Sequence, residues 1–574
     1  MWIEGIQPRV HPENVNEQIA KLEGFLEEKD AQFWIYKFLK ANPSMAAFIL
    51  MGVRLLPFQQ LLIKGMLQND YTLAILSRSG GKCERWDNPI WTDKGLKKII
   101  DVEVGDFVQS LNGRNRVLCK TVNPSQTTYR VETSHGFVSE GLDYHRVLKL
   151  NPETLEYDWT HSKDIQVGDY LVMRKGDNFW PEQENILSSY KYPAKDNPNK
   201  SKDINLKGAC LKDWYYFFGL LLGDGHRHRA TVGITSEAPE VLSFCEQFFN
   251  DIGLDFRYQQ NPGNKSKTVI CSSVQLAGFL DHLGFERKLA HEKTIPARVL
   301  KCSKENAKEL LMGLMDTDGS SNISLNDNKT RLRLEFSSSS YGLIKQVRNL
   351  FLNFDIVTSS RQSFKGGEMK FPNGQICNCK PAWRIDISGA NVVRKFYEEI
   401  GFKISYKQDK VKYLAQSKLD GFQKDDTVPF VGEYLKKKYG KKTLCADLVK
   451  GTPHYNHKLV LRANTPRDWF KRVKEFGDLL DENDWSVLDK FLDERVFFSQ
   501  VKSISTSENV TVDIQVETEE CYVSDGLVSH NTWLTGVFVG LYAMLNPGVH
   551  IGIISATFRQ SKEVMKKLIT ISKS

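Results

Sequence analysis

The sequence of 574 residues predicts a multidomain chain: an all-β domain interrupted by an α+β domain and a helical segment, with two pieces of an α/β domain at the ends. Three observations lead to this prediction. Short alternating stretches with a Gly-Asp corner occur at Val102–Val108 and Ile165–Val172. An apolar helix that ends in Asp-Gly occurs twice, at Phe217–Gly225 and Leu311–Gly319. A strand and a Gly-containing loop stop at Lys82, and their natural continuation appears only near the C-terminus.

The composition limits the class of protein and its surroundings. The net charge of +8 permits a nucleic-acid partner but is too small to demonstrate one. Cysteine use (Cys 10) and an N-terminus without a secretory signal favour the reducing cytoplasm, that of the host cell if a phage carries the gene. No apolar run approaches the roughly 18 residues of a membrane-spanning helix, so we expect no membrane partner.

The first piece of the α/β domain ends inside an incomplete loop. The stretch Leu73–Lys82 reads LAILSRSGGK, a buried strand followed by a loop with two glycines. A phosphate-binding loop of this kind needs Ser or Thr directly after its Lys, because that hydroxyl holds the Mg²⁺ of the nucleotide. Here the next residue is Cys83, and no helix is predicted after it. The loop is therefore interrupted one residue before its completion.

Removing the segment Cys83–Asn531 restores the loop. Lys82 is then followed by Thr532 and the predicted helix TWLTGVFVGLYAML, and after it by the buried strand HIGIISA. Strand, loop, helix and strand is the order of a P-loop ATPase. In the rejoined loop the backbone at Gly81 would cradle phosphates, Lys82 would reach the terminal phosphates and Thr532 would bind Mg²⁺. ATP and Mg²⁺ are therefore the predicted cofactors of the rejoined flanks.

The borders of the insert carry reactive side chains. It begins with Cys83 and ends with His530 and Asn531, and the hydroxyl residue Thr532 follows. This pattern resembles an intein, a self-splicing protein element. The resemblance implies that the Cys83 thiol attacks the carbonyl of Lys82 and that Thr532 takes over the resulting thioester. Asn531 would then cyclise to release the insert, with His530 as the assisting group and with no cofactor.

Internal motifs support this resemblance. The stretch LDYHRVLKL resembles the intein block whose His polarises the first scissile amide, which makes His145 the candidate. The chain departs from the family pattern in two places: Leu142 stands where Thr is usual, and Glu520 and Cys521 stand where the family has His and Asn. We expect these departures to slow splicing rather than to prevent it. The resemblance implies the small all-β HINT fold for the outer parts of the insert.

A second internal repeat explains why the insert is longer than splicing requires. FFGLLLGDG at Phe217–Gly225 and LMGLMDTDG at Leu311–Gly319 are each followed by a strand, a Ser/Thr cluster and a helix. This arrangement resembles the LAGLIDADG homing endonucleases. The resemblance implies an α+β fold that cleaves double-stranded DNA with Mg²⁺, and the expected target is the host gene without the insert. Because the motif can outlast the activity, a nuclease that no longer cleaves remains an alternative.

The repeated motif supplies the candidate metal ligands. Gly219 and Gly223 flatten one face of the first helix, and Gly313 flattens the second, so the two helices can pack closely. Asp224 and Asp318 would then converge at the base of the helix pair. Two carboxylates at this point would bind Mg²⁺, which activates water and neutralises charge on the scissile phosphates.

The same resemblance implies a lysine near the cleavage centre and strands that enter the DNA major groove. Lys293, in HEKTIPARVL, matches the position of that lysine. Its partner in the second copy is expected to be Lys407 or Lys410.

The flanks resemble the large subunit of phage terminases, the ATPase motors that package DNA. The resemblance rests on RLLPFQQLLIKGML, where Gln59 is the candidate adenine contact, and on the rejoined SRSGGKT, which carries Arg78. It implies ATP contacts from Gln59, Arg78, Gly81, Lys82 and Thr532, and a packaging motor with the portal protein as its partner. A helicase or another translocase is the alternative host. An autoprocessing HINT-fold protein that cleaves without ligation is the alternative to splicing.

The predicted domain boundaries follow from these motifs. We expect pieces of the host protein at 1–82 and 532–574, and parts of the splicing domain at 83–199 and 496–531. Between the two splicing parts we expect an endonuclease at 200–410 and a helical segment at 411–495. The lysine-rich stretch YLKKKYGKK in the helical segment is either a solvated face or an additional DNA contact.

Overall fold

The computed structural model describes most of the chain between Cys83 and His530 and a few residues before it. The described residues are 37–42, 45–46, 49, 83–176, 179–182, 186–188, 190, 203–260, 265–326, 329–370, 374, 376–416, 426–439, 464–467, 482–517 and 521–530. The chain divides into two compact units, one comprising Met1–Gly80 with Thr532–Ser574 and the other Gly81–Asn531. The second unit contains nearly all of the described residues.

The second unit opens with nine strands that belong to one sheet-rich domain, which we call the β domain. The strands are β1 (Glu84–Arg85), β2 (Pro89–Thr92), β3 (Gly95–Lys98), β4 (Phe107–Gln109), β5 (Arg114–Thr133), β6 (Val138–Gly141), β7 (Arg146–Leu150), β8 (Tyr157–His161) and β9 (Tyr170–Arg174). Short 3₁₀ turns lie at Ile99–Asp101 and Ser162–Asp164.

The middle of the unit is an α+β domain in two copies, as the repeat predicts. The first copy is α1 (Leu211–Leu222), β10 (Gly225–His228), β11 (Thr231–Ser236), α2 (Pro239–Asp251), β12 (Phe256–Gln260), β13 (Lys267–Ser272) and α3 (Val274–Leu283). A 3₁₀ turn at Ala290–Glu292 follows. The second copy is α4 (Lys304–Thr317), β14 (Gly319–Asn326), β15 (Lys329–Ser338), α5 (Tyr341–Asn353), β16 (Ser359–Phe364), β17 (Gly367–Lys370), β18 (Ile376–Cys379), β19 (Ala382–Ile387), α6 (Ala390–Glu399) and α7 (Ser405–Gln416).

Each copy folds its strands into a four-stranded antiparallel sheet. The orders β10-β11-β13-β12 and β14-β15-β19-β16 are equivalent. The second copy contains an additional hairpin, β17–β18, in the stretch where it is longer than the first.

Helices α1 and α4 pack against each other through glycines, as the sequence predicts. A Cβ atom on Gly219 would lie 2.9 Å from the Cα of Gly313, and one on Gly313 would lie 3.0 Å from the Cα of Gly219. One on Gly223 would collide with the side chain of Thr317. Only glycine permits this approach, which brings the C-terminal ends of both helices together.

The last part of the unit returns to the β domain. Its elements are β20 (Thr427–Pro429), α8 (Val431–Tyr439), β21 (Asn464–Pro466), α9 (Glu482–Leu488), a 3₁₀ turn (Asp489–Leu492), β22 (Val496–Val516), β23 (Cys521–Ser524) and β24 (Leu527–His530). The segment predicted to be helical therefore also contains two paired strands, β20 and β21. Val431 and Leu435 of α8 are buried in one cluster with Leu148 and Leu150 of β7, so this helix docks on the β domain. Three lysines lie in the last turn of α8.

The β domain joins the start and the end of the unit in one twelve-stranded sheet. Its strand order is β22-β1-β6-β5-β4-β2-β23-β24-β9-β7-β8, with β3 beside β2. Strand β22 pairs with the long strand β5 and also with β1 and β9. The predicted large sheet-rich region is confirmed, and its strands come from both sides of the α+β domain in the sequence.

The two Gly-Asp corners form turns, and both predicted strands are wrong in the residues before the glycine. Gly105 and Gly168 have φ of +101° and +103°, a left-handed conformation that glycine adopts without strain. The carboxylate of Asp106 accepts a hydrogen bond from the backbone N–H of Glu103 at 2.9 Å, and Asp169 repeats this contact with Gln166. These bonds close the turns, so the alternating residues before Gly105 and Gly168 form no strand, and β4 and β9 begin only at Phe107 and Tyr170.

The β2–β3 hairpin contributes to the core of the α+β domain. The side chains of Trp91 and Leu96 are buried in the same hydrophobic cluster as Trp214 and Phe217 of α1. The indole N–H of Trp91 donates to the backbone carbonyl of Asn349 in α5 at 3.3 Å. The two domains of this unit therefore share part of one core. No helix within the described ranges is long and apolar enough to cross a membrane.

Candidate active sites

The first candidate site surrounds Cys83, immediately before β1. Its side chain is buried, and its sulfur accepts a hydrogen bond from the Asn123 side-chain amide at 2.9 Å. Its backbone carbonyl accepts a hydrogen bond from the N–H of Leu142 at 3.0 Å. The sheet therefore fixes both the thiol and the peptide unit of the first residue of the insert.

His145 lies beside this strand, where the block motif predicts it. The turn Leu142–His145 follows β6, and the imidazole is fully buried. A Cβ atom on Gly141 would lie 2.6 Å from the imidazole Cγ and 2.9 Å from the carbonyl oxygen of Cys83. Only glycine at this position lets the imidazole lie against the strand next to the backbone of Cys83.

Glu84 connects the imidazole to the end of the insert. Its carboxylate lies 3.2 Å from Nε2 of His145 and accepts a hydrogen bond from the Asn88 side chain at 2.9 Å. It also accepts hydrogen bonds from the hydroxyls of Ser524 and Ser529, in β23 and β24. The hydroxyl of Ser529 lies 3.3 Å from the same imidazole nitrogen. One buried carboxylate thus contacts strands from both ends of the unit.

The environment of Glu84 keeps it ionised. Burial alone would raise its pKa, but the hydrogen bond and charge interaction with His145 and hydrogen bonds from Asn88 and Ser524 hold the pKa below its usual value. An ionised carboxylate next to Nε2 favours the tautomer with the proton on that nitrogen. Nδ1 is then the ring nitrogen that does not make this contact and can exchange a proton.

A buried tyrosine completes this polar cluster. Burial first, and then the nearby Glu84, Asp513 and Cys83, hold the pKa of Tyr522 well above its usual value. The phenol is therefore neutral at any physiological pH.

The C-terminal border of the insert lies on the neighbouring strand. Cys521 is the register partner of His530, and Ser529 is the register partner of Val147 in β7, two residues after His145. The backbone of His530 therefore enters the same site, although its side chain is outside the described part. The predicted residues Gln59, Arg78, Gly81, Lys82, Glu520, Asn531 and Thr532 lie outside the described residues.

The motifs did not indicate four residues of this site. Glu84, Asn123, Gly141 and Ser529 were not predicted because none stands out by residue type or spacing. The available signal was the position of Glu84, directly after Cys83 at the start of the predicted insert.

The second candidate site lies where α1 and α4 end. Asp224 follows α1 after Gly223, and Asp318 is the residue that ends α4. A Cβ atom on Gly223 would lie 3.3 Å from a carboxylate oxygen of Asp318. The carboxyl group of Asp318 therefore lies against the backbone just before Asp224. The two predicted carboxylates are brought together.

Burial raises the pKa values of both carboxyl groups. Burial raises the pKa of Asp318 to about 7, the negative charge of Asp224 adds to the rise, and Lys293 and Lys407 oppose it. Protein atoms around the carboxyl group also raise the pKa of Asp224, although its side chain stays exposed, and the two lysines oppose that rise. Such a pair is poised to bind a cation that would relieve the repulsion.

Two lysines, the half-buried Lys293 and the buried Lys407, hold the ends of the two helices. The ammonium of Lys293 donates to the carbonyl oxygens of Leu222, Gly223 and Gly225, each at 2.9 Å. The ammonium of Lys407 donates in the same way to Met315 at 3.0 Å, Asp316 at 2.7 Å and Gly319 at 2.6 Å.

Lys407, rather than Lys410, is therefore equivalent to Lys293, since Lys410 is exposed. Three donors are all that an ammonium has. These lysines therefore act on the site through the backbone and through their charge.

The donor set suits a hard cation. Within the described part of the chain, no group of three or more His, Cys, Asp and Glu side chains could hold a metal ion. Mg²⁺ is commonly bound by one or two carboxylates together with substrate phosphates and water, and Asp224 and Asp318 supply such a pair. Burial lowers the pKa values of Lys293 and Lys407, and the nearby carboxylates oppose this effect.

Comparison with known proteins identifies one domain. Residues 305–401 match the family described as LAGLIDADG-like domain, a range that includes α5 and nearly all of α4. The chain therefore contains a LAGLIDADG-like domain in the second copy of the repeat.

The curated relatives have dissimilar names. The chain is 24% identical over 390 residues to the DNA-directed RNA polymerase subunit Rpo1C of Methanocaldococcus jannaschii, covering 66% of this chain and 41% of that protein. It is 26% identical to the ATP-dependent DNA helicase Hel308 of the same organism, covering 58% and 26%. It is also 26% identical to the ribonucleoside-diphosphate reductase NrdEB subunit alpha of Bacillus subtilis, covering 54% and 28%. The chain thus spans well under half the length of each of these relatives.

Solved structures are similar to separate parts of the chain. The homing endonuclease I-DmoI in complex with DNA and Ca is 12% identical, with a TM-score of 0.24, over 35% of this chain and 98% of that one. The MchDnaB-1 intein is 25% identical, with a TM-score of 0.14, over 15% of this chain and 65% of that one. The gp41-1 intein is 21% identical, with a TM-score of 0.14, over 17% and 70%.

Proposed function

We propose that residues 83–531 splice themselves out of a host protein, and that the α+β domain inside them is a homing endonuclease. The observation that carries splicing is the contact of Glu84 with Ser529, 445 residues apart in sequence, beside Cys83 and His145. A site built from both borders of an insert suits a reaction that must act on both borders.

The contacts around Cys83 support the first step. Nδ1 of His145, or a water held by it, would take the proton of the thiol, and the thiolate would attack the carbonyl carbon of Lys82. The C–N bond to Cys83 breaks as the C–S bond forms, and the released amine takes up the proton. The Asn123 amide, 2.9 Å from the sulfur, stabilises the developing thiolate.

The later steps use the C-terminal border. The hydroxyl of Thr532 would attack the thioester, which frees the thiol of Cys83 and moves the upstream segment onto the threonine oxygen. The side-chain nitrogen of Asn531 would then attack its own backbone carbonyl, forming a succinimide and breaking the bond to Thr532. The ester rearranges to the amide that joins Lys82 to Thr532. Pairing of β24 with β23 and β7 supports this role by bringing the border to the first site.

The matches to the curated relatives support a shared insert rather than a shared host protein. An alignment of 390 residues is longer than the two flanks together, so it must include part of the insert. Proteins named as a polymerase subunit, a helicase and a reductase subunit match this chain over a minor part of their own length. An element that moves between unrelated genes explains this distribution.

The nuclease site follows from the paired carboxylates. Mg²⁺ held by Asp224 and Asp318 would supply an activated water and neutralise charge on the scissile phosphates of double-stranded DNA. Lys293 and Lys407 hold the two aspartate turns in place by donating to the carbonyl groups at the helix ends. The expected DNA target is the host gene without the insert, because insertion destroys that site.

The host is proposed to be a P-loop ATPase of the terminase type in the cytoplasm of a phage-infected cell, with the portal as its partner. The proposal rests on the rejoined SRSGGKT loop. ATP and Mg²⁺ would be bound by Gln59, Arg78, Gly81, Lys82 and Thr532. Another translocase such as a helicase is the second candidate.

Mass spectrometry of the expressed chain tests the proposed function. We expect a free insert of residues 83–531 and a ligated product that contains the peptide SRSGGKTWLTG. Cleaved flanks without that peptide would instead identify an autoprocessing protein that does not ligate. Intact precursor after prolonged incubation would refute both.

Replacing Glu84 by Gln is expected to slow thioester formation at Cys83. The amide keeps the size of the side chain but removes the charged acceptor that orients His145. A hydrogen bond to a charged group contributes about 1.5–3 kcal/mol, so the loss should be about tenfold or more. The rate is measured by thiol-induced cleavage after Lys82. The control is Glu286→Gln, at an exposed glutamate of the α+β domain, and an equal loss in this control would contradict the role of Glu84.

A further inference from the structure

The turn between β23 and β24 is held by the α+β domain. Asp525 and Gly526 form this two-residue turn, with φ of +45° and +77°. This conformation suits Asp-Gly and sets the register of the two strands. Because β24 ends at His530, the turn also sets the position of the C-terminal border.

Arg348 of α5 is the main partner of this turn. Its Nη2 lies 2.7 Å and 2.6 Å from the two carboxylate oxygens of Asp525, and both side chains are inaccessible to solvent. The side-chain amide of Asn349 adds a hydrogen bond to Asp525 at 2.8 Å. From the β domain, Asp525 accepts one hydrogen bond from the N–H of Val138 at 2.9 Å.

The environment of Asp525 keeps the pair ionised. Burial would raise its pKa, but the charges of Arg348 and Lys345 and the hydrogen bonds from Asn349 and Arg348 hold it below the usual value. Arg348 also donates to the carbonyl of Gly136 and to the hydroxyl of Ser360. Its guanidinium is stacked 4.2 Å from the ring centre of Phe137, in the β domain.

Helix α5 is itself fixed to the segment that carries Lys293. The hydroxyl of Ser340, which caps α5, donates to the carbonyl of Lys293 at 2.6 Å. The side-chain amide of Gln346 makes two hydrogen bonds with the backbone of Ile295, at 2.8 Å and 2.9 Å. The helix is therefore a rigid support rather than a loose neighbour of the turn.

We infer that Arg348, a residue of the endonuclease, is a positioning residue of the splicing site. This inference rests on the proposed splicing function. Arg348 holds the β23–β24 turn, and so aligns His530 and Asn531 for the release of the insert. The thioester step depends on it less, because Cys83 is held by Asn123 and Leu142, outside β23 and β24. Glu84 keeps its contacts with Asn88 and His145 even where those with Ser524 and Ser529 change.

The energetic reason lies in the burial of the pair. Removing one partner of a buried ion pair leaves the other charge without compensation, which strongly disfavours the conformation that buries it. In Arg348→Leu, the turn can expose Asp525 to water only by leaving its place between β2 and α5. Removing both charges takes this penalty away.

The test uses the full chain and measures two rates in each variant. Thiol-induced cleavage after Lys82 reports thioester formation, and appearance of free insert reports the C-terminal step. We expect Arg348→Leu to slow the C-terminal step at least tenfold and thioester formation at most about twofold. The double variant Arg348→Leu/Asp525→Asn should recover much of the lost rate, since Asn suits the left-handed turn and carries no charge. Arg298→Leu, at an exposed arginine of the same domain, is the matched control.

Two further measurements keep the inference falsifiable. Binding of target DNA shows whether the endonuclease stays folded in each variant. If Arg348→Leu does not fold, the same two rates are measured in the single variant Asp525→Asn. This variant removes the same ion pair by changing the partner that lies in the β domain. An unchanged C-terminal rate in a folded variant, or an equal fall of both rates, would overturn the inference. A wild-type chain that does not splice would instead refute the proposed function, and this inference with it.

Discussion

Replacing Asp318 by Asn is expected to abolish DNA cleavage while protein splicing continues at the wild-type rate. The carboxylate is one of two at the C-terminal ends of α1 and α4, and an amide is a much poorer ligand for Mg²⁺. A bound metal supplies several kcal/mol of transition-state stabilisation, so the loss should be about a thousandfold or more. Asp224→Asn should have the same effect. Cleavage of DNA with the uninterrupted host sequence measures one activity, and mass spectrometry measures the other.

The control is Asp409→Asn, at an exposed aspartate of α7. It removes the same charge from the same domain, at a position away from the helix ends. Both aspartate variants cutting like wild type would show that the carboxylate assignment is wrong. A parallel loss of splicing would show that the two sites do not act through separate residues.

The same site predicts how cleavage depends on pH. The pKa of Asp318 is about 7, so a proton occupies its carboxyl group over much of the range in which ordinary aspartates are ionised. A metal ligand must lose that proton before the ion binds. The Mg²⁺ concentration for half-maximal cleavage should therefore rise as the pH falls below about 7, by about tenfold per unit for one proton. In Asp318→Asn this dependence should disappear from any remaining activity.

Replacing Asn531 by Ala is expected to prevent release of the insert altogether. Alanine has no side-chain nitrogen that could attack the backbone carbonyl, so no succinimide can form. The first site keeps Cys83, Glu84 and His145, and the thioester should still form. Added thiol should therefore cleave the variant after Lys82, and mass spectrometry should find the insert still attached to Thr532. Asn250→Ala, at an exposed asparagine of α2, should splice normally. Free insert from Asn531→Ala would show that another residue ends the reaction.

The sequence predicts the two-copy architecture because the repeat is carried by short-range patterns. Apolar helix, Asp-Gly, strand and helix recur in the same order, and the helices meet at the predicted glycines. The second lysine could not be chosen in this way. Counted from the equivalent phenylalanines, Phe285 and Phe402, the spacing to Lys293 favours Lys410. Helix α7 begins already at Ser405, however, and this tight connection places Lys407 at the end of α4 instead.

Glu84 shows why the other residues of the proposed splicing site could not be predicted from the sequence. A glutamate after a cysteine reads as a surface residue, because carboxylates are rarely buried without a partner. Its partners, Ser524 and Ser529, lie on strands that reach it only through the sheet. The intein family usually has Thr where this chain has Leu142, whose side chain has no hydrogen-bond donor. In this chain the carboxylate of Glu84 is a polar neighbour of His145. Such a replacement can be recognised only once the strands are in register.

The positions of Trp91, Leu96 and Arg348 also affect which mutations such an element can accumulate. Under the proposed function, loss of the two aspartates would end DNA cleavage but would leave the contacts of the α+β domain with the β domain intact. Here a deletion of the nuclease gene segment would uncover the hydrophobic side chains of the β2–β3 hairpin and leave Asp525 without its arginine. A carrier that needs the host protein would lose it with the deletion. Inactive descendants of this element should therefore retain the entire nuclease fold, with point mutations at the two aspartates rather than with a shortened insert.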